Sequence, residues 1–220
     1  MKAVILAGGK GTRLASISEG NPKPLVQIGG RTILDHQLGM LSKQGIQEVV
    51  LLIGYKGELI QKYCGDGSRW GLSLNFIKEK SVLGTSGAVQ AAAEVLRDDD
   101  FLVLYGDVMM DMDFNGLIEF HRKKKADATL VIHPNDHPHD SDLVEMDGNM
   151  RIVGWFSKSN RKQGDYANLV NAAVYVLSPH VLDWIPEGKS DFGSDIFPLL
   201  LEKSVHLAGY KTSEYIKDMG

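Results

Sequence analysis

Four short apolar runs, Ala3 to Ala7, Glu48 to Gly54, Leu72 to Ile77 and Phe101 to Tyr105, alternate in the first half of this chain with segments of helical spacing. Those segments are Thr32 to Gln44, Glu58 to Cys64 and Gly87 to Leu96. Strands joined through helical crossovers lie parallel, with helices covering both faces of the sheet, so the alternation predicts an α/β fold. In such sheets ligands gather beyond the carboxyl ends of the strands.

The second half changes character. Leu143 to Glu145 and Arg151 to Phe156 flank Asp147-Gly148, a hairpin signal, and Leu169 to Leu177 reads as a further strand. Ser194 to Glu202 predicts a helix and Val205 to Tyr210 a last strand. No internal repeat, low-complexity tract or long linker divides the chain. The expectation is one domain over residues 1–220, built on a mixed, mainly parallel sheet.

Composition narrows the function. With 43% apolar residues in 220 there is material for a substantial core, and a net charge of -4 argues against a nucleic-acid partner. The one basic run, Arg122 to Lys125, follows Leu117, Ile118 and His121 at helical spacing and reads as a solvated helix end. Cys64 is single, which fits small core packing in a reducing compartment. The apolar stretch before Gly8 is too short for a signal peptide or a membrane span, so a cytoplasmic location with no membrane partner is expected.

Directly after the first run stands Gly8-Gly9-Lys10-Gly11-Thr12-Arg13-Leu14. Glycines let successive N–H groups turn towards one anion, and Arg13 adds a forked donor for phosphate oxygens. The dinucleotide fingerprint is excluded because Leu14 occupies its third glycine position, and the P-loop spacing is absent as well. A plain tight turn is the alternative.

Pro22-Lys23-Pro24 fixes an extended backbone around a lysine, as a presented point charge or as a surface turn. Asp107 ends Phe101-Leu-Val-Leu-Tyr-Gly-Asp, where a strand delivers its last side chain into the crevice; it could anchor magnesium or cap a turn. Asp111 and Asp113 read as turn and cap residues. Glu79 precedes Leu83-Gly84-Thr85-Ser86-Gly87-Ala88, a second strand-to-helix turn of small residues. A flat ring could lie on it with Thr85 and main-chain groups reading its edge, or Thr85 and Ser86 could simply cap a helix.

In this order, Gly8 to Leu14, Pro22-Lys-Pro24, Leu83 to Ala88, Gly106-Asp107 and Lys217-Asp218 resemble the sugar-phosphate nucleotidyltransferases over essentially the whole chain. The resemblance implies a Rossmann-like mixed sheet and a reaction of a nucleoside triphosphate with a sugar 1-phosphate, giving a nucleotide-sugar and pyrophosphate. It implies that Leu6, Ala7, Gly8, Gly9, Gly11, Thr12, Glu79, Gly84 and Thr85 bind the nucleotide. Arg13 would hold the departing phosphates, Lys23 the α-phosphate, and Asp107 with Asp218 a catalytic Mg²⁺. Lys158 and Asn171 would contact the sugar phosphate and sugar, although Ser157 replaces the glutamate that usually precedes the lysine.

Gly-Thr-x-Gly-Ala is similar to the guanylyl-transferring members, which implies GTP and a mannose or manno-heptose 1-phosphate. Thymidylyl, uridylyl or cytidylyl transfer, or a catalytically silent nucleotide-sugar-binding domain, are the alternatives. A NAD-dependent oxidoreductase lacks its fingerprint here. The resemblance also implies a native chain continuing past Gly220, with a fused sugar-phosphate phosphatase and a homo-oligomer as compatible arrangements. His133 to His139 crowds imidazoles between prolines and reads as a surface loop near the sugar pocket rather than a metal site.

Overall fold

In the computed structural model, which describes residues 1–9, 20–135, 138–158, 161 and 164–219, β1 (Lys2–Ala7) runs through the middle of the main sheet. The next elements are the two-residue strands β2 (Gln27–Ile28) and β3 (Arg31–Thr32), then α1 (Ile33–Lys43) and β4 (Glu48–Ile53). They are followed by α2 (Gly57–Cys64), β5 (Ser73–Lys78), α3 (Gly84–Gln90), α4 (Ala93–Leu96) and β6 (Phe101–Tyr105). After β7 (Val108–Asp111) come α5 (Phe114–Lys124), β8 (Ala128–His133), β9 (Leu143–Met146), β10 (Ile152–Phe156) and β11 (Val170–Leu177). Then α6 (Phe197–Glu202), β12 (Leu207–Lys211) and β13 (Tyr215–Asp218) complete the order.

The main sheet runs β10-β9-β11-β6-β1-β4-β5, with β8 joining β11 to β12. β1 pairs in parallel with β4 and β6, and β4 with β5, as the alternation predicts. β11 is antiparallel to both β6 and β8, which makes the sheet mixed. Strand parity sorts the core: Ala3, Ile5 and Ala7 face Leu34, Leu38 and Leu41 of α1, whereas Val4 packs on the side of Val89 and Leu96. Helices therefore cover both faces.

α1 starts with a capping box, Thr32 Oγ1 accepting from the Asp35 N–H while Asp35 accepts from the Thr32 N–H. α5 starts on Asp113, whose carboxylate accepts from Asn115 N–H, and ends in its basic turn where Lys125 adopts φ 50°. Asp113 is thus the cap expected of it, while Asp111 closes β7 instead of making a turn. The helix expected over Gly87 to Leu96 is divided into α3 and α4, and the one expected from Ser194 begins as a π-helical turn, Phe192–Ile196, ahead of α6. Cys64 is buried, with its thiol pushed up to about 12 by burial, as a packing residue should be. No helix among the described residues is long and apolar enough to cross a membrane.

Candidate active site

The parallel registers decide where the site lies. Ala7 pairs with Ile53, Ile53 with Lys78, and Leu6 with Tyr105, so β1, β4, β5 and β6 end nearly level. The residues that follow, Gly8, Gly54, Glu79 and Gly106, therefore form the carboxyl edge of the sheet. A cavity of about 310 Å³ opens there.

One wall carries charge pairing. Pro22 is extended (φ -64°, ψ 145°), and a 3-10 turn over Lys23–Leu25 presents the lysine inward. Lys23 Nζ donates to Asp107 Oδ2 at 3.0 Å, with side chains only 15% and 28% exposed. Asp107 sits in the turn between β6 and β7. β13 pairs antiparallel with β7, Asp218 opposite Val108, and the Met219 N–H donates to the Asp107 carbonyl at 3.0 Å. Asp218 and Asp107 are thus brought to one strand end, although β13 and β7 carry no strong strand signal in the sequence.

The facing wall carries Glu79, which forms no ion pair among the described residues. Burial pushes its carboxyl up, and only the Leu83 N–H, at 3.4 Å, works against the shift. A Cβ on Gly8 would stand 2.2 Å from Glu79 Oε1, so glycine there is what lets the carboxylate reach across the end of β1. Leu6, Pro24 and Val82 supply apolar surface; Val82 is 65% exposed on the cavity wall, a place for a flat ring to cover.

Gly84 and Thr85 line the same cavity, and the Thr85 side chain is also engaged within the chain. Its N–H and hydroxyl both donate to Asp191 Oδ1, at 2.8 and 3.1 Å, and the hydroxyl accepts from the Phe192 N–H at 2.9 Å. The Ser86 and Gly87 N–H groups are taken by the Ser190 carbonyl. Gly84 adopts φ +73°, and a Cβ there would meet Ser190 O at 2.3 Å. The start of α3 thus serves as the seat of the 188–191 segment.

The sequence-derived residues divide as follows. Leu6, Ala7, Gly8, Gly9, Lys23, Glu79, Gly84, Thr85 and Asp107 share the cavity. Gly11, Thr12 and Arg13 lie outside the described residues. Lys158 lines a second cavity of about 550 Å³, with Arg161, Tyr166 and His139 of the histidine loop. Arg161 is tied to the carbonyls of Pro138, His139 and Ser141, whereas the Lys158 ammonium makes no bond of that kind among the described residues. Asn171 lines neither cavity: its amide donates to Tyr175 Oη at 3.0 Å and its Oδ1 accepts from the Ala173 N–H, across a bulge where Ala173 adopts φ 58°. Among the described residues no group of three or more His, Cys, Asp or Glu is arranged to hold a metal.

Val82 and Tyr105 are cavity residues to which no sequence motif assigns a role. Tyr105 is the last residue of a strand that ends at the crevice, and that position is its sequence signal. Its hydroxyl, pushed up to about 12 by burial, stays neutral and meets the side chains of Thr85 and Tyr175.

The nucleotidyl transferase family model matches residues 2–220. A mannose-1-phosphate guanylyltransferase of Mycobacterium tuberculosis is 35% identical over 220 residues, 99% of this chain and 60% of that protein. A UTP–glucose-1-phosphate uridylyltransferase of Synechocystis is 30% identical over 93% of this chain and 56% of its own length. The chain therefore spans less than two thirds of these curated relatives. Among solved structures, HddC from Yersinia pseudotuberculosis superposes with a TM-score of 0.83 at 28% identity, covering 99% of this chain and 93% of that one; it has also been solved complexed with GMP-PN.

Proposed function

The chain belongs to the nucleotidyl transferase family, and from that premise we propose that it transfers a nucleoside monophosphate, from GTP, to a sugar 1-phosphate. A phosphate oxygen of the sugar attacks the α-phosphorus and forms the new P–O bond. The bond to the bridging oxygen of the β-phosphate breaks, and pyrophosphate leaves with the electron pair. No side-chain nucleophile is needed, because the attacking oxygen is already anionic at pH 7; rate comes from alignment and charge neutralisation.

The observation that carries this reading is one cavity with the Lys23–Asp107 pair on one wall and Glu79 on the other. Lys23 supplies positive charge beside the α-phosphate. Asp107 and Asp218 are the residues that would hold Mg²⁺, a cation that takes one or two carboxylates and completes its shell with water and phosphate oxygens. Its chemistry when bound is the neutralisation of phosphate charge. The β7–β13 pairing, which sets Asp218 opposite Val108 and so next to Asp107 in the sheet, supports that donor pair.

Glu79 supports guanine. The edge of guanine presents N1–H and N2–H₂ as adjacent donors, which a carboxylate accepts in pairs, whereas adenine and the pyrimidine triphosphates cannot offer that pair. Similarity to the mannose-1-phosphate guanylyltransferase and to the GMP-PN-bound HddC points the same way. For the sugar we favour mannose or a manno-configured heptose, with Lys158 meeting its phosphate.

Pyrophosphate release measured across ATP, GTP, CTP, UTP and dTTP with a panel of hexose and heptose 1-phosphates tests this reading. Release with GTP and a manno-configured sugar is expected. Release only with UTP would transfer the assignment towards the uridylyl relatives, and none with any pair would favour a silent nucleotide-sugar-binding domain.

A further inference from the structure

Gln37 lies on the face of α1 that packs into the core, between Leu34, Leu38 and Leu41, each fully buried. It is itself 1% exposed, where the pattern calls for an apolar residue. Its amide makes two hydrogen bonds, Nε2 donating to the Tyr105 carbonyl and to the Val108 carbonyl, both at 2.8 Å. Those carbonyls bracket Gly106-Asp107. One carboxamide therefore holds both ends of the turn that carries the aspartate.

The same turn is held elsewhere by groups that matter to the site. Gly106 N–H donates to the Leu6 carbonyl of β1 at 2.9 Å, and the Asp107 carbonyl accepts from Met219 next to Asp218. Gln37 Oε1 is buried without a partner among the described residues. A buried acceptor left unmet lowers stability, so the residue serves through its two donors and not through packing. Gln44, two helical turns on, is built likewise: its amide donates to Met112 O at 2.8 Å and accepts from Phe114 N–H at 2.7 Å, but this pair lies at the far end of β7.

We propose that Gln37 is a positioning residue for Asp107, fixing from the core side the turn that aims this carboxylate at Lys23 and at the phosphates. The inference rests on the functional reading above. Replacing Gln37 with leucine keeps the volume and burial while removing both donors, and Gln44→Leu does the same at the remote end of β7.

The test measures kcat and KM for pyrophosphate release, the Mg²⁺ concentration for half-maximal rate, and amide exchange at Gly106, Met219 and Phe114. Gln37→Leu is expected to lower kcat about 10- to 100-fold, as a misplacement near 1 Å does, and to raise the Mg²⁺ requirement while leaving the nucleotide KM within about threefold. Exchange at Gly106 and Met219 should quicken by about tenfold or more. Gln44→Leu should quicken exchange at Phe114 alone and leave kcat and the Mg²⁺ requirement near the wild-type values. Should Gln37→Leu fail to fold, Gln37→Met carries the same comparison with an unbranched side chain.

Wild-type kcat and exchange in the Gln37 variant would overturn the proposal, and so would an equal kcat loss in Gln44→Leu. A wild-type protein that releases no pyrophosphate would overturn the functional reading instead. In that event exchange at Gly106 and Met219 still decides for or against Gln37.

Discussion

Two carboxylates face one cavity, and they are kept in opposite ways. Asp107 is paired with Lys23 at 3.0 Å and its turn is tied to α1, β1 and the end of β13. Glu79 has no cation among the described residues, and burial pushes its carboxyl up. A carboxylate that already holds a lysine is balanced and can trade that partner for another cation. One that is desolvated and unpaired is better satisfied by a ligand that brings its own N–H donors. On the function proposed above, the contrast suits the first wall to phosphate chemistry and the second to base reading.

The largest effects belong to the first wall. Asp107→Asn keeps the shape of the side chain and removes its charge, so turnover should fall by roughly a hundredfold or more, the scale of losing one electrostatic stabiliser. Lys23→Met should fall by a similar factor, and the double variant by less than the product, since the two act as a pair. Steady-state pyrophosphate release checks all three. Normal turnover in Asp107→Asn would remove this wall from the chemistry.

On the second wall, Glu79→Gln should leave turnover with saturating GTP largely intact while its kcat/KM falls. A charge-assisted hydrogen bond is worth about 2 kcal/mol, so the GTP-over-ATP preference should shrink roughly thirtyfold. A uniform loss for every nucleotide would show instead that Glu79 supports the loop and does not read the base. Smaller again is the backbone on which that wall stands: Gly84→Ala introduces a side chain at φ +73°, against Ser190 O. The left-handed conformation alone costs about 1–2 kcal/mol, so the melting temperature should drop by roughly 2–8 °C.

The two walls also differ in how far they can be read from sequence. Lys23 and Asp107 stand out because proline geometry and a strand end are local signals, and the alternation of apolar runs places both at the carboxyl edge. The β1, β4, β5, β6 half of the sheet is legible for the same reason. β7 and β13 are short and pair across more than a hundred positions, so nothing near either announces it. β8 follows the basic end of α5 with only Lys125 to Asp127 between them, and its strand signal is hidden behind the helical one. Thr85 shows the limit most plainly: its local spacing suggests a ring-binding turn, and its partner Asp191 lies 106 residues away. Gln37 is legible only as a polar interruption of an apolar helix face; the carbonyls it serves belong to another segment.

The smallest effect separates the walls by pH in the absence of ligand. The Glu79 carboxyl titrates higher in the folded protein than in the unfolded chain, so between those two values the folded state binds more protons than the unfolded one. Stability therefore falls as pH rises through that window, from the ordinary carboxylate range up to the raised value. Glu79→Gln has no such group, so its melting temperature should exceed that of the wild type at neutral pH and approach it on acidification to the bottom of the window. Asp107→Asn removes the partner of Lys23, so it should not gain stability at neutral pH. Thermal melts of the three proteins across this range compare the walls directly. A Glu79→Gln variant that is less stable than the wild type at neutral pH would mean that its carboxylate is held by the chain and is not waiting for donors from a base.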